Sequence, residues 1–205
     1  MNSLKKIIKT LWVISALSII VFMLGIYSIK IDLFGLFGGM PSLQDLEKPQ
    51  SELSSELYSN DTILLGKYFR YNRSPVKYHE LSDELITTLL VTEDIRFYNH
   101  SGIDFKGLIR ATYGVFKNII TLGNSGLEGG GSTITQQLAK NLFKIRNEMK
   151  GKLGNIPFVG LIISKIKEWI VAVKLEEFYT KNEILSMYLN TAEYGSNSYG
   201  IKVAS

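Results

Sequence analysis

A glycine-rich run opens directly into a helix start at Gly129-Gly130-Gly131-Ser132-Thr133-Ile134-Thr135-Gln136-Gln137-Leu138-Ala139-Lys140-Asn141. Backbone N–H groups left unpaired at a helix N-terminus, with the positive end of the helix dipole, suit an anionic ligand. Ser132, Thr133, Gln136 and Gln137 supply hydroxyl and amide groups for sugars and phosphates, and Lys140 a positive charge. Upstream stands an acidic pair, in Thr92-Glu93-Asp94-Ile95-Arg96-Phe97-Tyr98-Asn99-His100-Ser101-Gly102. A carboxylate where a helix ends is disfavoured by the dipole, which suits a general base and burdens a merely structural acid.

These groups need elements to hold them. Ser82 followed by Asp83 and Glu84 reads as an N-cap with an acidic first turn. The helix it starts runs through Leu85, Ile86, Leu89, Leu90 and Val91 and delivers Glu93 at its end. Helical spacing returns from Phe105 to Leu122, before the loop 123–131. Thr133 and Gln136 form a capping-box pattern that fixes the next helix start. Ile134, Leu138, Leu142 and Ile145 define its buried face, with Gln136, Gln137, Lys140 and Lys144 largely opposite. Further helices are expected from about Ile162 to Phe178 and from Asn182 to Asn190. Thr62 to Phe69 fits a strand or a helix edge equally well. With no internal repeat and no sustained alternation, the fold class is mainly α.

Taken in order, the two motifs above, Lys165-Ile166-Lys167-Glu168 and Lys181-Asn182-Glu183-Ile184-Leu185-Ser186-Met187-Tyr188-Leu189-Asn190 resemble the peptidoglycan glycosyltransferases, glycosyltransferase family 51. That family comprises monofunctional transglycosylases and the transglycosylase domain of class A penicillin-binding proteins. The resemblance runs from Ser74 to the last residue, and Glu193, Tyr194, Gly195 and Gly200 resemble the start of a fifth motif. It implies a lysozyme-like domain that polymerises lipid II into glycan strands by inverting β-1,4 transfer, releasing undecaprenyl pyrophosphate.

Residue by residue, the resemblance makes Glu93 the base that takes the acceptor hydroxyl proton, and Lys140, beside Asn141, the cation on the substrate phosphates. It makes Glu168 a second essential acid near the leaving pyrophosphate and a divalent cation, magnesium or manganese, with Lys165 on phosphate. Lys165 and Glu168, three apart, share a helix face, an arrangement that an exposed ion pair would also produce. Asp94 either binds substrate or orients backbone groups, and His100 reads as a packed histidine. The fourth motif reads as scaffold bracing the cleft. Ser164 stands where the family carries arginine, which removes a bidentate phosphate donor. Between Asn141 and the Lys165–Glu168 helix lie more residues than the family pattern has, including an apolar stretch 155–163 that either dips into the bilayer or adds to the core.

Composition sets the surroundings. At 205 residues, 45% of them hydrophobic, the chain suffices for one folded domain plus an anchor. The absence of cysteine excludes a disulfide framework and thiolate chemistry, and two histidines at unrelated spacing argue against a His-based metal site. The net charge of +4 fits a surface near anionic lipid or pyrophosphate but does not single one out. Leu11 to Ile29 carry no charge and suit a membrane-spanning helix. Lys5, Lys6 and Lys9 precede it, so the N-terminus is placed in the cytoplasm and the remainder outside.

The organisation expected is therefore a cytoplasmic tip and anchor over residues 1–30, an interfacial segment and connector over 31–56, and a transferase domain over 57–205. The expected location is the bacterial cytoplasmic membrane, single-pass, with the catalytic domain extracytoplasmic. The resemblance implies lipid II, the growing strand, the bilayer and cell-wall or division machinery as partners, and no nucleic acid. Family members continue beyond the residue that ends this chain, so a fragment or a C-terminally shortened form is expected. Two competing readings stay open: an impaired form that binds lipid II or a partner without polymerising, and a glycan hydrolase, since paired carboxylates also cut such bonds.

Overall fold

The computed structural model describes residues 2–47, 55–68, 72–73, 75–121, 130–193 and 198–204. In chain order its elements are α1 (Asn2–Lys30), α2 (Leu43–Glu47), β1 (Ser55–Tyr58), β2 (Leu64–Tyr68), β3 (Asn72–Arg73), α3 (Asp83–Glu93), α4 (Phe105–Ile120), α5 (Ile134–Leu142), α6 (Pro157–Phe178), α7 (Lys181–Thr191), β4 (Ser198–Tyr199) and α8 (Ile201–Ala204). Helices dominate. The strands make two small pairs: β1 and β2 form an antiparallel hairpin with a bulge after Leu57, and β3 lies parallel to β4. The hairpin resolves the ambiguous stretch around residues 62–69 in favour of a strand.

The chain divides into two compact units, one of residues 1–40 with 146–167, the other of 41–145 with 168–205. In the first, α1 is long and apolar enough to cross a membrane; its most apolar stretch has no buried residue, and burial begins only near its end, at Ile29. At about 1.5 Å per residue its 29 residues extend about 43 Å. Beyond it the chain is not a slack linker. The Asp32 carboxylate accepts the backbone N–H groups of Phe37 and Gly38, both at 2.8 Å, and of Gly39 at 3.1 Å. The carbonyls of the same loop point the other way, and the buried Lys167 ammonium gathers those of Phe37, Gly38 and Gly39 together with Met149.

The second unit holds the core: Phe97, Ile134, Leu138, Ala139, Val171, Ala172, Leu175, Ile184 and Leu185 have no exposed surface. α5 packs against α7, so both faces of α5 are occupied at its start. Gly102, at φ 87°, lies so close to α6 that a Cβ there would come within 2.8 Å of the Ala172 carbonyl carbon. Only glycine meets both conditions.

Helix ends follow the sequence signals. The Ser82 Oγ accepts the Leu85 N–H and caps α3. At α7, Thr180 and Glu183 make a reciprocal capping box that also holds the Glu183 carboxyl below its ordinary value, chiefly through the Thr180 N–H. α6 begins five residues before the expected Ile162 (162 − 157), because Pro157 occupies the first helical position where its missing N–H costs nothing.

Candidate active site

Glu93 is the last residue of α3, and its side chain is exposed. What holds it is α5: Gln137 Nε2 donates to Glu93 Oε2 at 2.7 Å. Gln137 is itself oriented by Tyr188 of α7, whose hydroxyl donates to Gln137 Oε1 at 3.1 Å. With the amide oxygen meeting the Tyr188 hydroxyl, the NH2 group is the end that faces Glu93. Lys140, three residues after Gln137 on the same flank, follows about 4.5 Å further along α5.

Asp94 faces inward. Only 6% exposed, it accepts the Ile134 N–H at 3.1 Å and faces His100 Nε2 at 3.0 Å. Ile134 is the first residue of α5, so this carboxylate both satisfies an orphan N–H and sits at the positive end of the helix dipole. The Asp94 carboxylate fixes the histidine proton on Nε2, leaving Nδ1 buried and unpaired among the described residues. Asp94 thus orients a backbone group at the start of α5.

The helix start is built as expected in part. Thr133 Oγ1 accepts the Gln136 N–H at 3.2 Å. The Gln136 side chain, however, is buried and donates to the Gly102 carbonyl at 3.0 Å, as Thr133 Oγ1 does at 2.8 Å. Gln136 therefore departs from the outward face assigned to it: its amide ties α5 to the loop that follows Asp94, and no capping-box return is made.

Around Glu93 and Asp94 opens a cleft of about 350 Å³, walled by Gly130, Gly131, Ser132 and Thr133 on one side and by α4 on another. Two arginines line it. Arg96 is clamped by Asp104, with Nε and Nη2 at 3.0 and 2.5 Å from Oδ2, while Arg110 projects from α4. Asp104 also caps α4 by accepting the Gly107 N–H. Burial pushes its carboxyl up, but the Arg96 guanidinium and the Gly107 N–H outweigh that and hold it below the usual carboxylate range.

The structure thus brings Glu93, Asp94, Ser132 and Thr133 to one cleft, with Gln137 bonded to Glu93 at its edge. Asn141 is exposed at the end of α5, and Lys140 is half-buried. Gly129 lies outside the described residues, as do Ser74, Leu122, Tyr194 and Gly195. Glu168 is 1% exposed and is not part of the cleft lining, so it is not an acid of a solvated surface pair. Lys165 is half-buried and belongs to the other unit, and Ser164 is buried.

Arg110 and the Arg96–Asp104 clamp were not singled out from sequence. Asp104 before an amphipathic stretch is an N-cap signal, but nothing local marks Arg110. A second missed group braces the helix start from below. Thr135 Oγ1 donates to Glu176 Oε1 at 2.6 Å, and Lys181 Nζ reaches Glu176 and the His100 carbonyl at 2.7 Å while lying 4.2 Å from the Phe97 ring centroid. In the fourth motif, Asn190 clamps the Val76 backbone through both its amide atoms. That supports its reading as scaffold.

A helical domain with an acid at a helix end, facing a glycine-rich entry into α5, defines a class. Residues 61–205 match the transglycosylase family, and the chain belongs to it. Its fold is the lysozyme-like one of that family. Over 199 residues the chain is 35% identical to penicillin-binding protein 1A of Vibrio cholerae, covering 97% of this chain and 22% of that protein. It is 33% identical to penicillin-binding protein 1A of Pseudomonas aeruginosa (80% of this chain, 18% of that one) and 36% identical to penicillin-binding protein 1F of Bacillus subtilis (74% and 19%). The chain spans about a fifth of the length of these relatives.

Proposed function

We propose that the chain is a peptidoglycan glycosyltransferase that polymerises lipid II by inverting β-1,4 transfer, releasing undecaprenyl pyrophosphate. The observation that carries this reading is Glu93, exposed at the mouth of the cleft and held in place by the Gln137 amide. From there it takes the proton of the acceptor sugar hydroxyl as that oxygen attacks the donor's anomeric carbon and the bond to pyrophosphate breaks. Arg110 offers a guanidinium at the cleft beside the Asp104-paired Arg96, and Lys140 stands further along α5, where a departing pyrophosphate needs fixed donors.

A divalent cation belongs to the same proposal. Magnesium is held by one or two carboxylates together with substrate phosphates, so no all-protein cage is required. Among the described residues no three His, Asp or Glu side chains gather as a ligand set; the family resemblance alone proposes Glu168, which is buried and outside the cleft lining, as the protein ligand. When bound, the ion would neutralise charge on the leaving group. The anchor reading follows from α1 and the lysines of its first turns, Lys5, Lys6 and Lys9: a single span, cytoplasmic N-terminus and extracytoplasmic cleft, with the bilayer delivering the substrate.

The hydrolase reading loses support because Asp94, the neighbour of Glu93, is engaged by His100 and Ile134 and is not a second carboxylate across the cleft. Incubating the detergent-solubilised chain separately with labelled lipid II and with preformed peptidoglycan tests the proposal. Polymer from lipid II supports transfer, and soluble fragments from preformed glycan with no polymer support cleavage. Retained lipid II binding with neither product supports the non-polymerising form.

A further inference from the structure

α6 begins inside out. In the unit of residues 1–40 and 146–167, its inward positions are Gly160, Ile163, Ser164 and Lys167, at helical spacing i, i+3, i+4 and i+7. Its outward positions are Phe158, 73% exposed, with Leu161 and Ile162 one turn on, and Ile156 is exposed just before them. A helix facing water shows the opposite pattern, with glycine, serine and lysine outside and the large apolar side chains inside. The reversal makes sense where the medium outside is apolar.

Where this segment sits is set by its backbone. Leu153 N–H donates to the Leu36 carbonyl at 2.9 Å. Gly151 and Gly38 approach so closely that a Cβ on either would lie 2.2 Å from the other's nitrogen. Leu36 lies six residues beyond the end of α1, hence within about 20 Å of it even if fully extended. The loop between them is locked by Asp32, and it too turns apolar groups outward, with Phe34 83% exposed and Ile31 48%. Lys150 and Lys152, both exposed, flank the stripe with positive charge suited to anionic headgroups.

We propose that residues 150–163, with the loop 31–39, form a wedge seated in the outer leaflet of an anionic phospholipid bilayer, beside the outer end of α1. Phe158, Leu161 and Ile162 enter the acyl boundary, and Lys150 and Lys152 lie at phosphate depth. This rests on the reading of α1 as a membrane-spanning anchor. It gives the residues that the family pattern lacks a purpose: a second attachment at the start of the helix that bears Lys165 and Glu168.

The chain has no cysteine, so single-cysteine variants report one position each. Phe158→Cys, Phe22→Cys in the middle of α1, and Asn182→Cys at the exposed start of α7 are labelled with an environment-sensitive fluorophore. Each is reconstituted in phosphatidylglycerol–phosphatidylethanolamine vesicles with and without lipids carrying a quencher on the acyl chain. The expected result is several-fold quenching at positions 22 and 158 and none at 182. Quenching at 22 with position 158 as unaffected as 182 overturns the wedge while leaving the anchor standing. No quenching at either 22 or 158 overturns both.

Discussion

Gln137 Nε2 stands 2.7 Å from Glu93 Oε2, joining the first turns of α5 to the end of α3 across 44 residues of sequence. That bond holds an exposed, otherwise mobile type of side chain in place, and the Tyr188 hydroxyl engages the other end of the same amide. Replacing Gln137 by alanine leaves α5 capped by Thr133 but frees the carboxylate. A hydrogen bond to a charged group contributes about 1.5–3 kcal/mol, so a roughly 10- to 100-fold fall in kcat is expected with little change in melting temperature. Gln137→Glu places two carboxylates together and should shift the acid limb of the pH–rate profile upward. Steady-state rates across pH measure both effects, and unchanged kcat in the alanine variant would remove Gln137 from the account.

Asp94 carries a structural prediction. Asn keeps the shape, and with its oxygen in the Oδ2 place it still meets the Ile134 N–H and His100 Nε2, but its NH2 then stands in the Oδ1 place, 3.2 Å from the same His100 Nε2, where an acceptor was. The expected loss is about 1–3 kcal/mol of stability. Thermal unfolding of Asp94→Asn and His100→Asn measures it. The two losses should be less than additive in the double variant, because the partners share one network.

Asp104 predicts a pH dependence. Its folded carboxyl lies below the ordinary value, so the unfolded state binds the proton more readily. The stability this provides is complete above the unfolded value, near 4, and is lost as pH falls through the folded one. Melting temperatures of the wild type and Asp104→Asn should therefore differ most at neutral pH and converge in acid. A gap that stays constant down to acid pH would show that the Arg96 clamp contributes no linked stability.

The buried ammonium in the first unit gives a slope of the same sign in an alkaline window. Burial pushes Lys167 down to about 8, against the Asp32 charge, which raises it. Between about 8 and the unfolded value near 10.4 the unfolded state holds more protons, so stability rises with pH in that window. Lys167→Met should abolish that slope. At neutral pH it should also cost about 1–3 kcal/mol, because the carbonyls of Phe37, Gly38, Gly39 and Met149 lose their donor. Denaturation followed across alkaline pH tests both.

How much of this could be read beforehand depended on range. Ser82, Thr133 and the position of Glu93 at a helix end are written in a few consecutive residues, and the structure agrees with each. Gln136 could not be placed that way, since its partner, the Gly102 carbonyl, lies 34 positions away. The Thr135–Glu176–Lys181 bracing escaped for the same reason: every partner is a polar residue that looks solvated until the helices meet. At Pro157–Ile163 the difficulty was of another kind, because apolar periodicity does not state whether water or lipid lies outside.

The most direct measurement compares the wild type with Glu93→Gln on labelled lipid II with divalent cation, scoring polymer and, separately, lipid II binding. Glutamine keeps the size of the side chain but not the base, so the account predicts polymer from the wild type, none from the variant, and equal binding in both. Polymer from Glu93→Gln at the wild-type rate would contradict the assignment of the base. Absence of polymer from the wild type with binding retained would contradict the transferase itself.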